Sequence, residues 1–230
     1  MKRILFICLL CFLISSGKIN AQEKAFTFGF KVSPNLGWIK SGTKEFNKQG
    51  ISPGISWGFI AEFHLLDNYA INTGFNVVYL YNKMSFPYQM KVNTVETTGH
   101  LTRKFKLKYL EIPLTLKMKT NELGKFRLYG LIGLGTSFLI GAKADDEFKY
   151  NGGIYSDEKV DVYDDIVFLR ESLIVGAGTE ILLGESTIII VGIQFNNGFL
   201  NFMSESKRYY LNNEPKAINN FAELTIGILF

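Results

Sequence analysis

The sequence predicts an all-β fold, a closed antiparallel up-and-down barrel of eight strands that crosses a membrane. Three observations carry this prediction. Eight segments alternate apolar and polar residues with a period of two. Their apolar face is long and aromatic, while the opposite face is rich in Gly, Asn, Thr and Ser with a few charges. The connections between them run short and long in strict alternation.

The predicted strands cover about 24–39, 53–65, 69–83, 101–119, 125–141, 166–183, 187–203 and 217–230. The first sets Phe26, Phe28, Phe30 and Val32 against Thr27, Gly29, Lys31 and Ser33. In the second, Ile55, Trp57, Phe59, Ala61, Phe63 and Leu65 oppose Ser56, Gly58, Glu62 and His64. The third sets Ile71, Phe75, Val77, Tyr79 and Tyr81 against Asn72, Gly74, Asn76 and Asn82. Later strands repeat the scheme, with Ile189, Val191, Ile193 and Phe195 opposite Gly192, Gln194 and Asn196. A soluble barrel also alternates, but it turns the apolar face inward and covers its outside with charge. Small polar residues suit a narrow packed lumen, and a continuous aromatic face suits lipid.

The connections sharpen the distinction. Leu66-Asp67-Asn68, Thr120 to Gly124 and Gly184-Glu185-Ser186 are short, whereas 40–52, 84–100, 142–165 and 204–216 are long. If neighbours are antiparallel, every short turn lies at one end and every long loop at the other. Transmembrane barrels have this asymmetry, with short periplasmic turns and long outer loops.

The fourth strand departs from the scheme. In "KYLEIPLTLK", Leu110, Ile112, Leu114 and Leu116 form a lipid-facing stripe, and Glu111, Thr115 and Lys117 line the lumen. Upstream, Phe105, Leu107 and Tyr109 occupy the opposite parity. The whole strand would run about 60 Å at roughly 3.3 Å per residue, and lipid needs only about 9–11 residues. Residues 101–108 are therefore expected above the bilayer, with the parity change marking a membrane boundary or a bulge. Pro113 lacks a ladder donor, so a bulge or a missing ladder bond is expected beside it.

The N-terminus has the plan of a secretory signal peptide. Lys2 and Arg3 precede the apolar run Ile4 to Ile14, and a polar stretch ends Ile-Asn-Ala, which places cleavage after Ala21. The expected organisation is a signal peptide over 1–21 and one barrel domain over 22–230. The run is too short for a spanning helix, which needs about 20 residues. A lipidated cysteine is disfavoured, because Leu10 precedes Cys11 within the apolar core. Cys8 and Cys11 leave with the leader, which excludes disulfide and thiolate chemistry from the mature chain. Lys2, Arg3 and Lys18 account for 3 of the +4 formal charge, so the mature chain is near neutral and nucleic acid is not an expected partner.

The final "FAELTIGILF" places Leu224, Ile226, Ile228 and the terminal Phe230 on one face. It resembles the C-terminal signal by which outer-membrane barrels are recognised by their insertion machinery. "YLEIPL" at Tyr109 to Leu114, "RLYGLIGLGTSF" at Arg127 to Phe138 and "GAGTEI" at Gly176 to Ile181 resemble the PorT-like outer-membrane β-barrel family. The resemblance covers essentially the whole mature chain. It implies a Gram-negative outer membrane, contact with its lipid, and a porin-like small barrel. The family takes its name from a member linked to secretion and gliding machinery, so envelope or secretion complex proteins are the implied partners.

Candidate chemistry is sparse. His64 lies on the polar face, and His100 ends a long loop near Ser85, Glu96, Thr97 and Thr98 without triad spacing. The acidic loop Gly141 to Asp165 carries Asp145, Asp146, Glu147, Asp157, Glu158, Asp161, Asp164 and Asp165, but it lacks EF-hand spacing and is interrupted by lysines. No cofactor or metal is expected. Loop aromatics such as Phe148, Tyr150, Tyr155 and Tyr163 suit loop packing, a membrane interface or a binding surface. Glu62, Glu111, Lys117, Arg127, Glu180 and Glu223 fall on the lumen face and are expected to pair there, Arg127 specifically with Glu111. A non-enzymatic barrel with a structural or binding role through its outer loops is the expected function. The alternatives are a rim hydrolase or acyltransferase, a small-solute channel and a soluble periplasmic barrel.

Overall fold

The structure is a computed structural model that describes residues 25–42, 47–48, 50–92, 94–184, 186–204 and 216–230. The expected signal peptide lies outside the described residues, as does most of the last long connection. Among the described residues the strands are β1 (Phe26–Ser41), β2 (Asn47–Lys48), β3 (Ser52–Leu66), β4 (Tyr69–Val92) and β5 (Val95–Lys119). They continue with β6 (Phe126–Tyr150), β7 (Gly153–Asp161), β8 (Leu169–Leu182), β9 (Ile188–Gly198) and β10 (Ala217–Leu229). Eight of them close an antiparallel ring in the order β1-β3-β4-β5-β6-β8-β9-β10, with β10 returning to β1. The two others are accessory, β2 on β4 and β7 on β6.

All eight predicted strands are present. The long connections 84–100 and 142–165 are not open loops, however. β4 and β5 pair to their tips at Val92 and Val95, and β6 and β7 pair to Tyr150 and Gly153. The two hairpins carry β4, β5 and β6 well past the ends of β8, β9 and β10. Their sequence conceals this because the alternation continues with its chemistry exchanged.

The exchange is clearest in β5. Leu101, Arg103, Phe105, Leu107, Tyr109, Glu111, Thr115, Lys117 and Lys119 are all buried and point inward, so β5 keeps one parity throughout. The expected parity slip in β5 is therefore corrected: the inside changes from polar to apolar while the strand runs straight. The irregularity belongs to β6. Lys108 pairs with Gly141 and Tyr109 with Leu139, which leaves Ile140 as an extra residue. β6 accordingly buries Ser137 and Leu139 below that point and Ala142, Ala144 and Phe148 above it.

In the lower barrel the outward side chains are apolar and open: Phe30, Leu114, Ile132, Ile193 and Ile226 are examples. So large an exposed apolar belt marks contact with lipid. Aromatic pairs fringe it at both ends, Phe26 with Phe63 at 5.0 Å below and Trp38 with Phe195 at 5.7 Å above. In the outer extension an apolar cluster fills the inside, including Leu80, Phe86, Phe105, Leu107, Leu139, Phe148 and Phe221. Val162 and Ile166 on one connecting segment, and Phe202 and Met203 on another, join that cluster and cap the outer mouth. Phe202 meets Phe105 edge-on at 5.4 Å. The two segments are tied by the Val167 amide donating to the Phe202 carbonyl at 2.8 Å.

Pro113 sits in an open stretch of ladder. β4 and β5 pair at Asn72 with Thr115 and again at Asn76 with Glu111, but the residues between make no pairs. Gly74, opposite the proline in this register, takes φ +138°, a conformation glycine tolerates. The Thr73 hydroxyl donates to the Pro113 carbonyl at 2.8 Å. No register shift accompanies the gap, and on its other side Pro113 stays paired with Gly135.

Candidate functional site

The lumen is the chemically richest part of the chain, and its side chains lie in layers. Nearest the short turns, Lys117 bridges two carboxylates, Glu62 at 2.6 Å and Glu180 at 2.6 Å. Its ammonium also lies 4.5 Å from the centre of the Tyr129 ring. Glycine makes room for that ring: a Cβ at Gly178 would stand 2.6 Å from it, and one at Gly192 would overlap its hydroxyl. This is the physical use of these glycines of β8 and β9, which face Tyr129 of β6 in the lumen. Just below, His64 contacts Thr27 at 3.1 Å and Lys119 at 3.3 Å.

The middle layer joins β1, β3 and β10. Lys31 donates to Glu223 at 2.7 Å, and the Ser56 hydroxyl donates to the other carboxylate oxygen at 2.5 Å. In the upper layer Glu111 accepts from Asn76 at 3.3 Å, Ser137 at 3.4 Å and Asn196 at 3.1 Å, with Arg170 at 3.7 Å. Arg170 donates to Ser172, Asn196 and the Asn219 carbonyl, and its guanidinium lies 5.2 Å from the Phe221 ring. The layers thus set Glu62, Glu111, Glu180 and Glu223 against Lys31, Lys117, Lys119 and Arg170, all buried. Such a balance is what burial of charge requires.

Of the predicted lumen charges, the structure brings Glu62, Lys117 and Glu180 together and gives Glu111 and Glu223 other partners. Arg127 is a correction. It lies at the short-turn rim and donates to Glu122 at 2.7 Å, away from Glu111. The β5–β6 register explains this, because Glu111 stands opposite Ser137, ten residues further up the strand. Sequence reasoning missed Arg170 and did not enter Lys31 in the network. Parity could have found both: Lys31 shares a face with Ser33, and Arg170 is an even number of residues from Glu180.

The stripe Leu110, Ile112, Leu114 and Leu116 and the set Leu224, Ile226, Ile228 and Phe230 lie on the outer wall. A space of about 20 Å³ remains in the lumen, lined in part by Lys31, Asn76, Pro113, Thr115, Lys117 and Tyr129. It is about the room one water occupies.

The other candidates separate in space. His100 stands opposite Pro87 and Lys149, whereas the Ser85 hydroxyl accepts from Thr102 and Glu96 accepts from Gln89. Part of the acidic segment is held by cations. Asp146 takes a bidentate pair from Arg103 at 2.7 Å, Asp165 meets the same guanidinium at 3.2 Å, and Asp145 pairs with Lys106 at 2.5 Å. Among the described residues no three His, Cys, Asp or Glu side chains gather as a metal site.

An apolar outer belt, a closed antiparallel ring and a charge-balanced lumen together define an outer-membrane β-barrel. The chain belongs to the outer membrane protein beta-barrel domain family, whose model matches residues 20–204. Solved structures similar to it include Ail, the attachment invasion locus protein of Yersinia pestis. That match has 15% identity and a TM-score of 0.39, and covers 90% of this chain and 100% of that one. OprG from Pseudomonas aeruginosa is similar at 11% identity and TM-score 0.44, covering 90% and 97%. Neisserial surface protein A is similar at 11% identity and TM-score 0.43, covering 90% and 96%. No curated protein matches the chain.

Proposed function

We propose that this outer-membrane barrel is a non-enzymatic binding or structural protein, working through its projecting outer hairpins as an accessory of an envelope or secretion complex. The observation that carries the reading is the lumen. Charged layers occupy it within the membrane and an apolar core fills it above, so a transport path finds little room. The chain invests instead in the extension of β4, β5, β6 and β7, a surface held outside the lipid. The segments "YLEIPL", "RLYGLIGLGTSF" and "GAGTEI" support a place near PorT-like barrels, and with it a partner in the envelope. Residues 1–21 serve in this reading as the leader, and Leu224, Ile226, Ile228 and Phe230 as the insertion signal.

Affinity capture from crosslinked outer membranes tests the proposal, comparing the whole chain with a variant whose 86–101 hairpin is shortened. A defined set of envelope proteins recovered with the whole chain and lost with the variant is the expected result. Capture of the same proteins by both would sink the role of the hairpins. Steady ion conductance by the purified barrel in planar bilayers would replace the reading with a channel.

A further inference from the structure

We propose that the outer wall of the barrel binds the phosphate headgroup of a membrane lipid, in a groove at the level where the lipid-facing stripe ends. The site goes beyond the hairpin role above, because it lies on the wall and not at the tips. The groove has a volume of about 460 Å³, and Tyr79, Lys106, Lys108, Ile140, Lys143 and Tyr163 line it.

Its shape follows from the β6 bulge. The extra residue Ile140 and the bare Gly141 leave a hollow beside Lys108. Tyr163, in the 3-10 turn Tyr163–Asp165, forms the far wall and is fixed by its hydroxyl donating to the Leu139 carbonyl at 3.1 Å. Tyr79 pairs with Lys108 across the β4–β5 ladder, and the Lys108 ammonium lies 5.2 Å from its ring centre.

Its charge points to an anion. Lys106 and Lys143 stand directly opposite one another on the β5–β6 ladder, and Lys108 lies two residues along on the same face. Like charges so placed repel. Lys106 has Asp145 as a partner, whereas among the described residues neither Lys108 nor Lys143 forms a salt bridge, although Asp161 stands opposite Lys143 on the β6–β7 ladder. Asp161 lines the groove, yet one of its carboxylate oxygens already accepts the Tyr163 amide at 3.0 Å. A phosphate offers several strong acceptor oxygens to such a cluster.

Its height favours a lipid over a free anion. Leu110, Ile112 and Leu114 descend directly below Lys108 on the same wall, and Lys104 rises above it into water. Headgroup phosphates sit at this boundary, with acyl chains below and tyrosines at the interface. The tyrosines and Ile140 would add little to a soluble ion.

The test is native mass spectrometry of the mature barrel released from an uncharged detergent. The probes are dioleoylphosphatidic acid, dioleoylglycerol as the same tails without phosphate, and inorganic phosphate as competitor. The expected result is about tenfold more retained phosphatidic acid than dioleoylglycerol, lost in K106Q/K108Q/K143Q and kept in K106R/K108R/K143R. K125Q, at the opposite rim, should bind as the native chain does. Folding of each variant is read from its mobility without heating, and the arginine variant guards against a merely unfolded glutamine one. Equal binding by the native and glutamine chains would overturn the proposal, as would an equal loss in K125Q. Displacement of the lipid by millimolar inorganic phosphate would overturn the choice of a lipid.

Discussion

The molecule has two halves built on opposite rules from the same strands. Below the β6 bulge, Leu114 and Ile132 face out, and Lys117, Glu62 and Glu180 face in. Above it, Lys104 and Lys149 face out, and Phe105, Leu107 and Phe148 face in. Lipid takes the apolar wall in the lower half, so the small lumen is left to polar side chains that must satisfy each other. Water bathes the upper half, where the hydrophobic effect builds an ordinary core. Even the ion pairs differ. Lys117 is held on both sides by lumen carboxylates, whereas the buried Arg103 pairs with Asp146 and Asp165 at the edge of an apolar cluster.

The largest effect is expected in the lower half. Lys117→Met leaves Glu62 and Glu180 buried without their cation, a loss of about 3–5 kcal/mol. Urea unfolding of the barrel in detergent should show it, and adding Glu62→Gln and Glu180→Gln should recover much of it. A native midpoint for Lys117→Met alone would mean that lumen pairing does not hold this half together. The matching cut above is Phe105→Ala, which opens a cavity in the outer core and is expected to lose about 3–5 kcal/mol. Its signature is local: amide exchange should quicken in β7 and in the outer parts of β4 and β5, with the lower ladder unchanged. Uniform acceleration across both halves would show that they fold as one unit.

The two halves were unequally legible from sequence. Lipid demands a long apolar face, so period-two alternation located all eight ring strands, and parity alone put Glu62, Lys117, Glu180 and Glu223 inside. Partners were harder, because they depend on register. Arg127 and Glu111 belong to neighbouring strands, but the short turn fixes Arg127 near its own end of the barrel. The outer half was hidden for a different reason. With lipid gone, an inward Phe105 looks like a slip in the pattern, and the charged outer face of 142–150 looks like a loop. What looked like a parity change is a change of chemistry on the inside of β5, from polar to apolar, with a bulge one strand away, in β6.

Exchanging the face rules gives the next effect in size. Leu114→Arg puts a charge on the lipid wall near mid-membrane and is expected to destabilise by about 2–4 kcal/mol. Lys104→Leu makes the reverse change on the upper wall and should stay within about 0.5 kcal/mol, since water tolerates an isolated exposed leucine. Thermal unfolding in vesicles separates the two. Equal penalties would place the lipid boundary higher than the β6 bulge.

The smallest effect is a pH dependence confined to the upper half. The Lys106 ammonium, hydrogen-bonded to Asp145, holds that carboxyl below the usual carboxylate range, and the Lys159 amide donation works in the same direction. A carboxylate depressed in the folded chain stabilises it at every pH above its unfolded value. That contribution disappears as pH falls through the lower folded value. Water reaches this pair, so it is worth no more than about 0.5 kcal/mol. Asp145→Asn should therefore leave exchange rates in β6 and β7 nearly native at neutral pH and remove their rise in acid. In about 1 M salt, where the Debye length is about 3 Å, native and variant chains should converge. The lumen pairs should not respond to salt in this way, because the ions that screen Asp145 cannot reach Lys117. A salt response of equal size at Lys117 would mean that water enters the lower lumen, and the contrast between the halves would then be one of composition alone.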